Sequence, residues 1–153
     1  MSVLRTARQD DLNALIQWIG SPQQCLYWAG PRVSYPIDKA QLAEQIEWDR
    51  ADAFCLVGTQ ELLGFGQVMP KPRNRLHFAR LIVSPSHRCQ GYGLELVNAL
   101  LRWALARQPK SISLNVFRDN AAAIAVYRRL GFTEAGPVKG YPRSAALHMR
   151  YKR

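Results

Sequence analysis

The sequence predicts an α/β fold: a single domain over residues 1–153, with a central twisted mixed β-sheet flanked by about four helices. Three observations carry this. Short apolar stretches read as strands along the whole chain. Between them lie segments whose apolar residues recur at helical spacing. The length of 153 residues, 48% of them hydrophobic, supplies material for one core.

The elements follow in order. "VLRTA" (3–7) reads as a first strand. "DDLNALIQWI" follows as a helix, with Asp10 or Asp11 as cap and Leu12, Leu15, Ile16 and Ile19 on one face. "GSPQQCLYWAGPRVSYP" is rich in Gly, Pro and aromatics and reads as an irregular connection. "IDKAQLAEQIEWDR" offers a second helix, capped by Asp38, with Leu42, Ile46 and Trp48 as apolar contacts. "AFCLVG" (53–58) and "LLGFGQVMP" (62–70) form an antiparallel pair joined through Thr59, Gln60 and Glu61. "RLHFARLIVSP" (75–85) is the next strand, ended by Pro85. A helix then opens at a glycine turn and runs to about Arg107, stopped by Pro109. "SISLNVF" (111–117) is a strand, and a short helix spans Asn120 to Leu130, with Gly131 in a C-cap role. "FTEAGPV" (132–138) and "AALHMRYK" (145–152) complete the sheet.

Composition narrows the function. No apolar run approaches the roughly 18–20 residues that span a bilayer. The opening stretch lacks the apolar core of a secretion signal, so a cytoplasmic protein with no membrane partner is expected. Cys25, Cys55 and Cys89 are three in number, so they cannot all pair within the chain. None sits at metal-ligand spacing, and no metal site is expected. The net charge of +10 favours anionic ligands. The basic residues are scattered, and clusters such as "KPRNR" (71–75) and "RYKR" (150–153) are short. Nucleic acid is therefore a disfavoured partner, since no contiguous basic stripe supports it.

Two motifs carry chemistry. "SHRCQGYGLELVNALL" (86–101) places Gly91, Gly93 and Arg88 where a helix begins. The first N–H groups of a helix have no intrahelical partner, and with the helix dipole they make an anion site. A diphosphate suits such a nest. The pattern is neither G-x-x-x-x-G-K-[ST] nor G-x-G-x-x-G, because residue 96 is Leu. Taken alone, it also fits an ordinary tight turn. The second motif, "NAAAIAVYRRLGF", sets Asn120, Ala123 and Tyr127 on one helical face. A phenol with a pKa near 10 suits proton donation to a departing thiolate. The same residue also suits a half-buried core position.

With both motifs in place, the sequence resembles the GNAT N-acetyltransferase superfamily. "RCQGYG" (88–93) is similar to that family's R/Q-x-x-G-x-G/A motif. "LIVSPSHRCQGYGLELVNALL" resembles the whole of its longest motif, from strand into helix, "LNVFRDNAAAIAVYRRLGF" resembles the next, and the order of strands matches over nearly the whole chain. The resemblance implies acetyl-coenzyme A as donor and a primary amine of a small molecule or peptide as acceptor. It implies that the backbone of Leu81, Ile82 and Val83 pairs with the pantetheine arm. The amides of Arg88, Cys89, Gln90, Gly91, Tyr92 and Gly93 would hold the pyrophosphate. Asn120 would contact the pantetheine side, and Tyr127 would lie near the thioester sulfur as the acid.

Many relatives carry a glutamate on the strand before the glycine turn. Here that place is His77, a candidate base, which by period two shares a face with Ala79, Leu81 and Val83. Trp28, Asn115 and Tyr141 are candidates for the acceptor side, alongside Tyr27, Tyr35 and Trp48. The basic balance makes a polycationic acceptor an unpromising one. An enzyme acting on aminoacyl-tRNA and a non-catalytic acyl-coenzyme A sensor are the rival expectations, and a homodimer is allowed.

Overall fold

The computed structural model describes residues 2–152. Its strands are β1 (Val3–Thr6), β2 (Asp52–Val57), β3 (Leu62–Lys71), β4 (Arg75–Val83), β5 (Ser111–Phe117), β6 (Phe132–Pro137) and β7 (Ala146–Tyr151). Its helices are α1 (Leu12–Trp18), α2 (Pro22–Ala29), α3 (Lys39–Gln45), α4 (Tyr92–Leu105) and α5 (Ala121–Leu130). The strands form one sheet in the order β1-β2-β3-β4-β5-β7-β6. Its pairings are antiparallel except β4 with β5, which is parallel. The mixed α/β architecture expected from the sequence is therefore present.

The first departure from expectation lies between α1 and α3. Residues 22–29 form a helix where an irregular connection was read. Gly20 and Pro22 look like breakers, yet they frame a start signal. Ser21 accepts the N–H of Gln24 at 3.1 Å, and Pro22 stands at the first helical turn, where its missing N–H costs nothing. Cys25 and Trp28 then fall on one buried stripe. The second correction is the end of α3. It stops at Gln45 because Glu47 turns left-handed at φ 58°, and a short 3-10 turn over Trp48–Arg50 follows. Asp38 caps α3 as expected, accepting from Ala40 N–H at 2.9 Å.

Each face of the sheet carries its own core. Helices α4 and α5 cover one face, where Leu96, Leu100, Phe78, Leu114 and Phe132 are buried together. Each such side chain contributes about 2 kcal/mol relative to leaving it in water. Helices α1, α2 and α3 cover the other face around Leu15, Leu42, Ile46 and Phe65. The side chains of Leu81 and Leu100 pack over Gly66. A Cβ there would lie 2.6 Å from Leu81 Cδ2 and 3.1 Å from Leu100 Cδ1.

Two interruptions of β4 position the site. Its pairing with β5 ends at Phe78 opposite Leu114, so residues 79–83 leave that ladder. Its pairing with β3 carries a bulge: Gln67 faces Ala79, but Phe65 faces Ile82. Three residues of β4 thus span two of β3, with Arg80 held at φ 54°. The extra residue reverses the alternation. Ala79 and Ile82 share the face of His77, whereas Leu81 and Val83 lie on the opposite face, under α4. The period-two grouping of His77 with Leu81 and Val83 is therefore corrected.

Candidate active site

The glycine turn lies at the start of α4. Gly91 adopts φ 87° and no side chain caps the helix. The first helical bond runs from Glu95 N–H to Gly91 O at 3.1 Å. The amides of Gly91, Tyr92, Gly93 and Leu94 precede it and have no helical carbonyl to meet. A Cβ on Gly91 would meet nothing within 4 Å, so the glycine serves the left-handed backbone and not a tight fit. Cys89 is also left-handed, at φ 61°, and exposed. Side chains of the turn fold back on it: Arg88 Nε donates to Val83 O at 3.2 Å, and Gln90 Nε2 to Ser86 O at 3.5 Å.

Helix α5 stands beside α4 on the same face. Asn120 is its N-cap, with Oδ1 accepting from Ala123 N–H at 3.4 Å. Tyr127 is buried, its ring edge-on to Phe132 at 6.1 Å. Burial pushes its phenol up to about 12. The hydroxyl therefore keeps its proton at neutral pH, and among the described residues it forms no hydrogen bond.

On the other face, beside α2, a cleft of about 350 Å³ is lined by His77, Trp28, Asn115 and Tyr141, and by Arg80. The bulge is anchored here. Trp28 Nε1 donates to Arg80 O at 2.9 Å. The Arg80 side chain is buried, donating to Gln67 Oε1 at 2.8 Å, Ile46 O at 3.2 Å and Glu47 Oε1 at 3.0 Å. Burial raises the Glu47 carboxyl, but the bond from Arg80 and the charges of Arg32, Arg80 and Arg50 outweigh it, and the group titrates below its ordinary value. An aromatic run lines one wall, with Tyr27 5.6 Å from Phe117 and Phe117 5.7 Å from Tyr141.

His77 is half-buried, with Nδ1 2.8 Å from Ser113 Oγ. Its ring stacks on His148 at 6.1 Å and 8°. His148 Nδ1 lies 2.6 Å from Asn115 Oδ1, an atom that only accepts, so the proton of that pair sits on His148. Burial, then the charges of Lys71, His148 and Arg80, push His77 down to about 4. Burial, then Arg150, lowers His148 as well. Both imidazoles are neutral at pH 7.

The structure brings His77, Trp28, Asn115 and Tyr141 to one cleft. It does not bring Leu81, Ile82, Val83, the 88–93 turn, Asn120 or Tyr127 to that cleft. The turn, Leu81, Val83 and Tyr127 belong to the opposite face, and the cleft reaches the opening between β4 and β5 through Ala79 and Val116. Sequence reading missed Arg80, Glu47 and His148. One signal was available for Arg80: it is a lone charge inside the otherwise apolar run "FARLIV".

Known proteins share the fold and part of the sequence. The chain is 26% identical over 135 residues to mycothiol acetyltransferase of Corynebacterium glutamicum, a match covering 88% of this chain and 46% of that protein. It spans about half the length of such curated relatives. Its structure is similar to spermidine N-acetyltransferase from Vibrio cholerae, solved with CoA and spermine. There the TM-score is 0.80 at 20% identity, covering 97% of this chain and 94% of that one. It is also similar to aminoglycoside acetyltransferase AAC(6')-Ib solved with coenzyme A, at TM-score 0.78 and 20% identity, covering 100% and 95%. At that identity these structures establish the fold. The model of the acetyltransferase (GNAT) family matches residues 13–132, most of the chain and both motif-bearing helices, and the chain belongs to that family.

Proposed function

We propose that the protein transfers the acetyl group of acetyl-coenzyme A to a primary amine of a small molecule or peptide. The observation that carries this reading is the opening between β4 and β5. A helix N-terminus with no side-chain cap lies on one face of the sheet and a cleft on the other, and past Phe78 and Leu114 the two strands no longer pair. The residues fit the donor. Four amides ahead of the first bond of α4 suit a pyrophosphate. The edge of β4 at Leu81, Ile82 and Val83, past its last pair with β5, suits the amide groups of the pantetheine arm.

Bound there, the coenzyme supplies a thioester whose carbonyl accepts an unprotonated amine. The protein's part is positioning and proton transfer. The cleft holds the amine beside His77, whose neutral ring takes up the proton directly or through water. With a pKa of about 4, His77 is a weak base, and it passes the proton on to solvent. A backbone N–H of the β4 edge stabilises the developing charge on the carbonyl oxygen. Tyr127, held protonated by burial, gives its proton to the departing sulfur.

The test is release of free thiol from acetyl-coenzyme A against a panel of amines and peptides. Tyr127→Phe is expected to lower kcat about 10- to 100-fold and leave coenzyme A affinity within about twofold. Equal turnover removes the acid role. A wild-type protein that binds acetyl-coenzyme A but releases no thiol with any acceptor ends the transferase reading.

A further inference from the structure

The charges around the cleft are one-sided. Its cations come from three separate places: Arg32 after α2, Lys71 at the end of β3, and Arg80 in the bulge of β4. Glu47 is the sole carboxylate among its lining residues. That carboxylate is already taken. Arg80 Nη2 lies 3.0 Å from Glu47 Oε1, Arg32 Nη1 lies 3.3 Å from the same atom, and Arg50 Nη1 lies 3.8 Å from Oε2. Three guanidinium groups thus share one acid, and a positive excess faces the cleft.

The three cations are not equivalent. Arg80 is fixed: its side chain is 6% exposed and holds the bulge. Arg32 keeps 59% of its side chain exposed, so its fork has free N–H groups beyond the contact with Glu47. Lys71 is exposed and forms no ion pair among the described residues. Two cations that line the cleft are therefore available to an incoming anion, and Tyr27, Phe117 and Tyr141 line the same cleft. An acceptor amine arrives as an ammonium ion. A second cation on it would meet uncompensated repulsion, since Glu47 cannot serve it. A carboxylate on it would meet Arg32 and Lys71, and an apolar body would meet the aromatics.

We infer that the acceptor is an α-amino acid, or an amine carrying a carboxylate at similar distance, with an apolar or aromatic side chain. Arg32 and Lys71 bind its carboxylate. This rests on the proposed transferase reading for the amine's fate, but not for its binding. It also separates this chain from acceptors such as spermidine, whose charges are all positive.

The experiment measures equilibrium binding by calorimetry, with and without coenzyme A, of matched ligands: phenylalanine, phenylalaninamide and phenethylamine, the corresponding leucine set, and spermidine. Thiol release from acetyl-coenzyme A is measured on the same ligands. The amino acids are expected to bind at least tenfold more tightly than their amides or decarboxylated amines, and spermidine more weakly still. Arg32→Gln combined with Lys71→Gln is expected to reduce that preference below threefold. Both side chains are exposed, so the melting temperature serves as a control on folding. Amides or amines binding as tightly as the acids, a preference untouched by the double variant, or no ligand of the set binding, each overturns the inference. Selective binding of the acids without thiol release supports the inference and overturns the transferase reading alone.

Discussion

The two faces of the sheet are built by different rules. Under α4 and α5, polar order is local. Asn120 caps its own helix three residues on, Gly131 ends it in a left-handed turn, and the glycine turn presents amides of consecutive residues. Under α1–α3, polar order is long-range. Trp28 reaches Arg80, Arg80 reaches Glu47, His77 reaches Ser113, and Asn115 reaches His148. The first face uses main chain and helix ends, which suit an anion such as a phosphate whatever the surrounding side chains. The second uses side chains brought from four elements and the turn after α3, so it is the face on which selectivity for an acceptor can differ between relatives of one fold.

The long-range face should be the easier one to break. Glu47→Ala removes the carboxylate from Arg80, whose side chain is only 6% exposed. An uncompensated buried charge costs about 4 kcal/mol, read as a fall in unfolding free energy by urea titration. Glu47→Gln keeps an acceptor for the guanidinium and should cost about half. A loss below about 1 kcal/mol for Glu47→Ala would mean that Gln67 Oε1 and Ile46 O satisfy Arg80 unaided, and the contrast between faces would shrink.

That contrast also decides what could be read in advance. Helices α4 and α5, their glycine ends and the Asn120–Tyr127 spacing were legible because each depends on neighbours within a turn or two. The strands were legible from apolar stretches alone, since a sheet needs only a buried face. The cleft was half legible. His77, Trp28, Asn115 and Tyr141 do line it. The bulge at Arg80 was not visible, because it is set by pairing of β4 with a distant strand, and it moved Leu81 and Val83 to the other face. Helix α2 was hidden for a different reason: Ser21-Pro22 is both a turn signal and a helix start, and the burial of Trp28 decides between them.

A pH titration sharpens the comparison next. His77 titrates at about 4 in the folded protein, through burial first and the charges of Lys71, His148 and Arg80 after it, against 6.5 ordinarily. Above pH 6.5 neither the folded nor the unfolded state carries that proton, and the contribution is fully present. Below it the unfolded chain binds the proton and the folded one resists, so stability is lost as pH falls toward 4. At roughly 1.4 kcal/mol per unit the loss approaches about 3 kcal/mol. His77→Asn lacks this loss. The stability difference between the two proteins should therefore change by about that amount between pH 7 and pH 4, and parallel pH profiles would show the His77 ring to be solvated.

The smallest effect belongs to the local face, and it separates conformation from space. Gly91 sits at φ 87° with room for a side chain, while a Cβ on Gly93 would touch only Val83 Cγ2, at an ordinary 3.9 Å. A β-branched residue in the left-handed region costs on the order of 2 kcal/mol, which the chain avoids by re-aiming the turn. Gly91→Val should thus weaken coenzyme A binding about 30-fold by calorimetry, with Gly91→Ala intermediate. Gly93 lies within α4 at ordinary helical dihedrals, so Gly93→Ala meets no backbone penalty and gains helix propensity of about 0.5–1 kcal/mol. Its affinity for coenzyme A should stay within about threefold. If Gly93→Ala instead weakens binding as much as Gly91→Val, the phosphate approaches closely enough to need a bare Cα at both positions. The face would then be selected for contact as well as for backbone geometry.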